Sequence, residues 1–224
     1  MAYDLDEMIS RWRRDMEDTV EPYLWSDEEV TEYFDEAQDE FCQMVDVINK
    51  EISIDYTTDD AWVDIPEYVT RIRDVEDSDG RMIPLYNHEE WPEVVRTDDY
   101  GSWIVASNWK EKTGAPEALI TDITADKARV YPVPTEDGTL TATVYRRPLE
   151  SLIDTEEFEV TDLQHQRCLL YKARSLGYLK HDTETFDAAK AGEFEGIFMN
   201  KVEEIKSRVS RSRRRARATS YGGL

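Results

Sequence analysis

A chain of 224 residues, 40% hydrophobic and holding six tryptophans, is long enough to bury the core of one large domain or two small ones. Its formal charge of −23 argues against a body that binds DNA phosphates or anionic membranes, because like charges repel at low salt. The charge is also uneven: residues 206–224 hold seven cationic side chains and no acid, so they carry +7 while residues 1–205 carry −30.

Leu5, Met8, Ile9, Trp12 and Met16 recur at helical spacing and predict an amphipathic helix over 4–17, ended by Glu21-Pro22. Ser26 and Glu29 form a capping box and Trp25 with Val30 a hydrophobic staple, so a second helix starts at Asp27. Its apolar face is Val30, Tyr33, Phe34, Ala37, Phe41, Met44, Val45 and Ile48, and the acids between them form a solvated face.

From Glu51 the pattern alternates. Ile52, Ile54 and Tyr56, then Trp62, Val63 and Ile65, then Val69, Ile72 and Val75 read as short strands, and the turn Asp77-Ser78-Asp79-Gly80 leads back into Met82–Leu85 as a hairpin. Residues 87–113 read as a long loop with one helical turn and an edge strand. Strands follow over 118–124, 128–131 and 140–146, separated by turns at 125–127 and 135–138. Helical spacing returns after Pro148. Thr161 and Gln164 form a second capping box ahead of Leu163, Leu170, Ala173 and Leu176. A last helix over 185–209 buries Phe186, Ala189, Phe194, Ile197, Phe198, Val202 and Ile205. The expected fold class is α+β: N-terminal helices (1–50) and C-terminal helices (151–209) form one bundle, an antiparallel β-rich insertion (51–150) projects from it, and a basic extended arm (210–224) follows.

Little in this chain points to catalysis. Setting Gly80 as the glycine of a calcium loop puts Val75 at the first ligand position and Tyr86 where a bidentate Glu must stand, so that motif fails at both ends. His165 and Cys168 make half a zinc site with no second pair at ligand spacing. No P-loop, dinucleotide fingerprint or G-x-S-x-G elbow is present. No enzyme activity, metal or cofactor is expected. Cys42 and Cys168 read as two small buried hydrophobes in a reducing compartment. Residues 1–8 are acidic without an apolar stretch, and no segment approaches the roughly 20 apolar residues of a membrane span. A soluble chain with no membrane partner is expected.

Eighteen arginines against nine lysines among 50 acids fit work in concentrated salt, where the Debye length falls to about 3 Å at 1 M and carboxylate repulsion is screened. A salt-loving or marine source is expected, with a higher melting temperature in molar KCl than in dilute buffer. The basic end, Arg211, Arg213, Arg214, Arg215 and Arg217 followed by Tyr221-Gly222-Gly223-Leu224, has two functional readings. It can contact nucleic-acid phosphate, making the chain a nucleic-acid-binding accessory protein, or it can dock on an acidic neighbouring protein. A −30 body opposes the first and not the second.

Three stretches, in order, carry a resemblance: Leu24–Glu29 leading into a helix with Ala37 and Glu40; Gly114-Ala115-Pro116, then Val130–Pro134, Gly138, Leu140 and Tyr145–Leu149; and Tyr178–Thr185, then Phe198, the basic helix end and the closing Tyr-Gly-Gly-Leu. With them the chain resembles the head-to-tail adaptor (connector) proteins of tailed viruses, especially short-tailed bacteriophages. It departs from that pattern at Asp35, where an asparagine is expected, and over 87–113. The resemblance implies a virion structural protein made in the host cytoplasm. It further implies a homo-oligomeric, dodecameric ring at the head-to-tail interface, with the portal protein on one face, tail or nozzle proteins on the other, and DNA only in transit through the lumen. Arg211 to Arg217, with Tyr221 and Leu224 as apolar anchors, would then be the portal-docking arm.

Overall fold

The computed structural model describes residues 2–89, 91, 109–124, 126–180 and 185–213, which fall into two compact units, 1–48 with 147–224 and 49–146.

The first unit is helical: α1 (Leu5–Asp15), α2 (Asp27–Met44), α3 (Leu152–Thr155), α4 (Leu163–Tyr178) and α5 (Ala188–Arg213). Its N-terminal helices begin where short polar side chains can satisfy free N–H groups. Asp4 accepts from the Glu7 amide, and Ser26 and Glu29 cap α2 reciprocally. The stripe of α1, including fully buried Met8 and Trp12, packs into one core with Phe34 and Phe41 of α2, Leu169 and Ala173 of α4, and Phe198 and Val202 of α5. Trp25 and Val30 are both buried in it.

Two expectations for these helices are corrected. Asp162, not Thr161, caps α4, because one carboxylate oxygen accepts from both the Gln164 and His165 amides (2.8 and 3.1 Å), while the Gln164 side chain meets Arg208 instead of turning back. The last helix begins at Ala188, with Asp187 accepting from the Ala189 and Lys190 amides, each 3.0 Å. Phe186 therefore precedes the helix and is 49% exposed, and Ala189 also faces outward. Ala191, Phe198, Val202 and Ile205 are the buried set. The same helix runs on to Arg213, past the predicted end at Val209.

The second unit is β: β1 (Asn49–Tyr56), β2 (Trp62–Asp64), β3 (Val69–Glu76), β4 (Met82–Ile83), β5 (Leu85–Asn87), β6 (Thr113–Gly114), β7 (Ala118–Thr124), β8 (Lys127–Tyr131), β9 (Val133–Pro134) and β10 (Gly138–Arg146). One sheet has the order β1-β10-β3-β4 and is antiparallel throughout. A second has the order β2-β8-β7-β5, antiparallel except where β5 runs parallel to β7. Short β6 and β9 form a further parallel pair. The period-two pattern decides the faces: Ile52 pairs with Ala142 and Ile54 with Leu140, and all four are buried with Val63, Val75, Leu119 and Val130. Gly138 stands opposite Tyr56 because the phenol ring occupies the space of a Cβ, which would lie 2.3 Å from its oxygen.

Of 87–113, the described part contains a 3-10 turn at Trp109–Glu111 and strand β6. The expected turn residue Ala125, Trp103 and most of that loop lie outside the described residues.

Candidate partner-binding surfaces

The acid-rich turn at 77–81 is built for local purposes. One oxygen of Asp77 accepts from the amides of Asp79 and Arg81 (both 2.9 Å), and these hydrogen bonds, Arg81 first, hold its carboxyl below the usual carboxylate range. Gly80, at φ +75°, supplies the left-handed residue the turn requires. Cys42 and Cys168 are both buried free thiols, and burial pushes Cys168 up to about 12, far from a reactive thiolate.

His165 has a structural place. Its ring lies 5.4 Å from that of Phe41, and burial holds its imidazole below the ordinary value, with Asp162 acting upward and Arg208 downward. The unfolded chain therefore binds more protons than the folded one between pH 6.5 and the lowered folded value. Stability from this site is complete above about pH 6.5 and falls as pH drops through that window. Urea midpoints measured from pH 7.5 downward should fall more steeply for the parent than for His165→Gln; equal slopes would contradict this placement.

Of the arm residues, Arg211 is exposed on the last turn of α5, and Arg213 ends that helix. Arg214, Arg215, Arg217, Tyr221 and Leu224 lie outside the described residues.

The acids of α2 are more than a solvated face. Asp39 clamps Arg147 through two hydrogen bonds of 2.6 Å, and Asp35 accepts from the Ser151 hydroxyl (3.0 Å) and the Leu152 amide (2.8 Å), fixing the start of α3 against α2. The departure at Asp35 therefore bears on a contact within the chain. Two grooves flank this face. One, about 460 Å3, lies between α1, α2 and α3, with Leu5, Ile9 and Leu152 in its lining; the other, about 340 Å3, lies between α2 and residues 147–153. They share Glu32 and Ile153, whose side chain is 58% exposed. Nine carboxylates line the pair against two cations, Arg13 and Arg147, and both cations are already bound by carboxylates.

Sequence reasoning also missed several buried polar contacts. Arg13, 7% exposed, donates to Asp18 (2.7 Å), Asp27 (2.6 Å) and the Trp25 carbonyl (2.9 Å). Lys172 ties α2 to α5 through Glu40 (2.6 Å) and Glu195 (3.1 Å). Burial lowers its pKa, but those two hydrogen bonds and their charges outweigh it, and the net shift is upward. Gln166 on α4 accepts from the Tyr3 amide and donates to the Tyr3 carbonyl. In the β unit, Trp91 stacks edgewise on Trp109 and Tyr131, with Arg129 over the Trp62 and Trp109 rings. The signal was present for Arg13, which stands on the apolar stripe of α1. For the others the partners are distant in sequence.

Terminal helices packed as one unit, a β insertion, acidic grooves along α2 and a basic end to α5 fit a structural protein whose work is contact with other proteins. A family model described as SU10 adaptor protein matches residues 3–221, nearly the whole chain, and the chain belongs to that family. It is thus a head-to-tail adaptor of tailed phages, a structural component of the virion that works between portal and tail. None of the curated proteins matches it. Among the described residues, no helix is long and apolar enough to cross a membrane.

Proposed function

We propose that copies of this chain form a closed ring, a dodecamer, between portal and tail. DNA passes through its lumen, and the segment from Arg211 to Leu224 docks on the portal through its arginines, Tyr221 and Leu224. The observation that carries this reading is the charge division within a member of the adaptor family: +7 over residues 206–224 on a body of −30. A ring interior of one negative sign repels DNA in transit and so prevents sticking. Like-charged subunits in turn need an opposite-sign contact to stay together. Among the described residues, the α5 side chains in the core end at Ile205, with Val209 packed beside them, so a cut after Val209 keeps all of these.

Co-sedimentation with portal rings of the same virus, in near-molar salt, tests this. The full chain should pellet with the portal, and the chain ending at Val209 should remain in the supernatant while keeping its circular dichroism. Equal binding of both chains removes the docking role of the arm. Failure of both, together with retention of the full chain on duplex DNA with a steep salt slope, would favour a nucleic-acid-binding role for the same arginines.

A further inference from the structure

The paired grooves along α2 have the length, charge and floor to receive a basic peptide. Glu28, Glu32 and Glu36 recur every four residues on one face of α2 and are exposed. Their side chains make no ion pair or hydrogen bond among the described residues. The adjoining carboxylates Asp35 and Asp39, by contrast, are already engaged by the 147–152 segment. Exposed Ile153 and Leu149 stand beside the free row. The site therefore combines three unneutralised carboxylates with apolar surface on which aliphatic stems can lie.

We infer that this trough receives the segment Arg214–Arg217 of a second copy of the chain, latching neighbouring adaptor subunits to one another. Its chemistry fits: Arg214, Arg215 and Arg217 match three carboxylates, and guanidinium groups pair with carboxylates in two parallel hydrogen bonds. So does its length. Glu28 to Glu36 spans about 12 Å at 1.5 Å per helical residue, and Arg214 to Arg217 spans about 10 Å in extended chain. Arg211 and Arg213 lie before the latched segment and Tyr221 and Leu224 beyond it, and these four stay available for the portal, so the arginines of the arm divide between two partners. The inference rests on the ring reading above, since it supplies the opposite-sign contact that reading needs, but it concerns the contact between subunits and not the contact with the portal.

The test uses a fluorescent peptide of residues 206–224 and the full chain in three forms: parent, Glu28→Lys/Glu32→Lys/Glu36→Lys, and a control with the same charge change on exposed residues of the β unit, Glu51→Lys/Glu67→Lys/Glu76→Lys. Anisotropy should show saturable binding to the parent and the control, and at least tenfold weaker binding to the trough variant. Absence of saturable binding, or equal binding to all three, overturns the proposal. To place the tail in trans, the trough variant is mixed with a chain carrying Arg214→Glu/Arg215→Glu/Arg217→Glu and followed by sedimentation velocity. A heterodimer is expected, because each chain then offers what the other lacks. Two unmixed monomer species would mean that the segment does not bridge two chains, and the latch between copies would be wrong. Portal co-sedimentation by the trough variant separates the two ideas: retained portal binding with lost peptide binding is the expected pattern. Saturable peptide binding by the parent, lost in the trough variant, without portal binding by either chain would remove the portal reading alone.

Discussion

Arg13→Ala should cost the helical unit about 3–5 kcal/mol of stability, because it removes one partner of a buried ion pair and leaves the other behind. Arg13 donates through one terminal nitrogen to Asp18 and through the other to Asp27 and the Trp25 carbonyl, while the Tyr23 ring lies 3.9 Å from the guanidinium. Asp18 is itself 4% exposed, and its second oxygen accepts from the Leu24 amide at 2.9 Å. One guanidinium thus organises the whole connection between α1 and α2, and its loss strands a buried carboxylate.

The pair with Asp27 contributes less, since that carboxylate is 67% exposed and screened by water. Arg13→Lys keeps the charge but cannot span two carboxylates and a carbonyl in one fork, so an intermediate loss is expected. Arg13→Met with Asp18→Asn removes the stranded charge and should recover part of the loss. Urea unfolding followed by circular dichroism decides the matter. A shift of less than about 1 kcal/mol for Arg13→Ala would show that the connection holds without it.

What could be read in the sequence divides by the distance between interacting residues. The start of α2 was legible because both halves of its capping box lie within three residues. The central strands were legible because alternation reports burial directly, and Ile52, Ile54, Val75 and Leu140 are all buried. The start of α4 was displaced by one residue because Thr161 and Asp162 both cap well, and only geometry shows that a carboxylate is taking two amides. Helical spacing extends backward past Asp187 with no sign of where the helix begins, so the pattern puts Phe186 inside although it is half exposed.

Contacts set by the tertiary fold left no local trace. Gln38 is fully buried because its oxygen accepts from the Val160 amide, 122 residues away, and the parallel pairing of β5 with β7 joins strands separated by the 87–113 segment. Asp35 and Asp39 of α2 looked solvated for the same reason: their engagement depends on Arg147 and Ser151, more than a hundred residues on. The candidate arm was visible as composition alone, since a run of arginines without an acid needs no partner to be noticed.

Trp12→Ala should cost a comparable 3–5 kcal/mol, through a cavity where α1, α4 and the approach to α2 meet. Trp12 is completely buried, stands edge-on to Trp25 with ring centroids 5.1 Å apart, and lies 6.3 Å from the ring of Tyr33. Its Nε1 has no hydrogen-bond partner among the described residues, so Trp12→Phe loses area and packing only and should cost less than half as much. The residue it presses on is Gly177 of α4, whose missing side chain makes room for the indole: a Cβ there would lie 2.6 Å from the ring carbon Cζ2. Gly177→Ala in the parent chain therefore overpacks the contact and should cost about 1–3 kcal/mol. In the Trp12→Ala background the clash is gone and the new methyl fills part of the cavity, so the same substitution should be neutral or stabilising. Thermal melts of the four chains close a double-mutant cycle whose coupling energy should exceed about 1 kcal/mol. Additive effects would mean that glycine is needed at 177 for its backbone, whose carbonyl accepts from Trp25 Nε1 at 3.2 Å, and not for the space it gives Trp12.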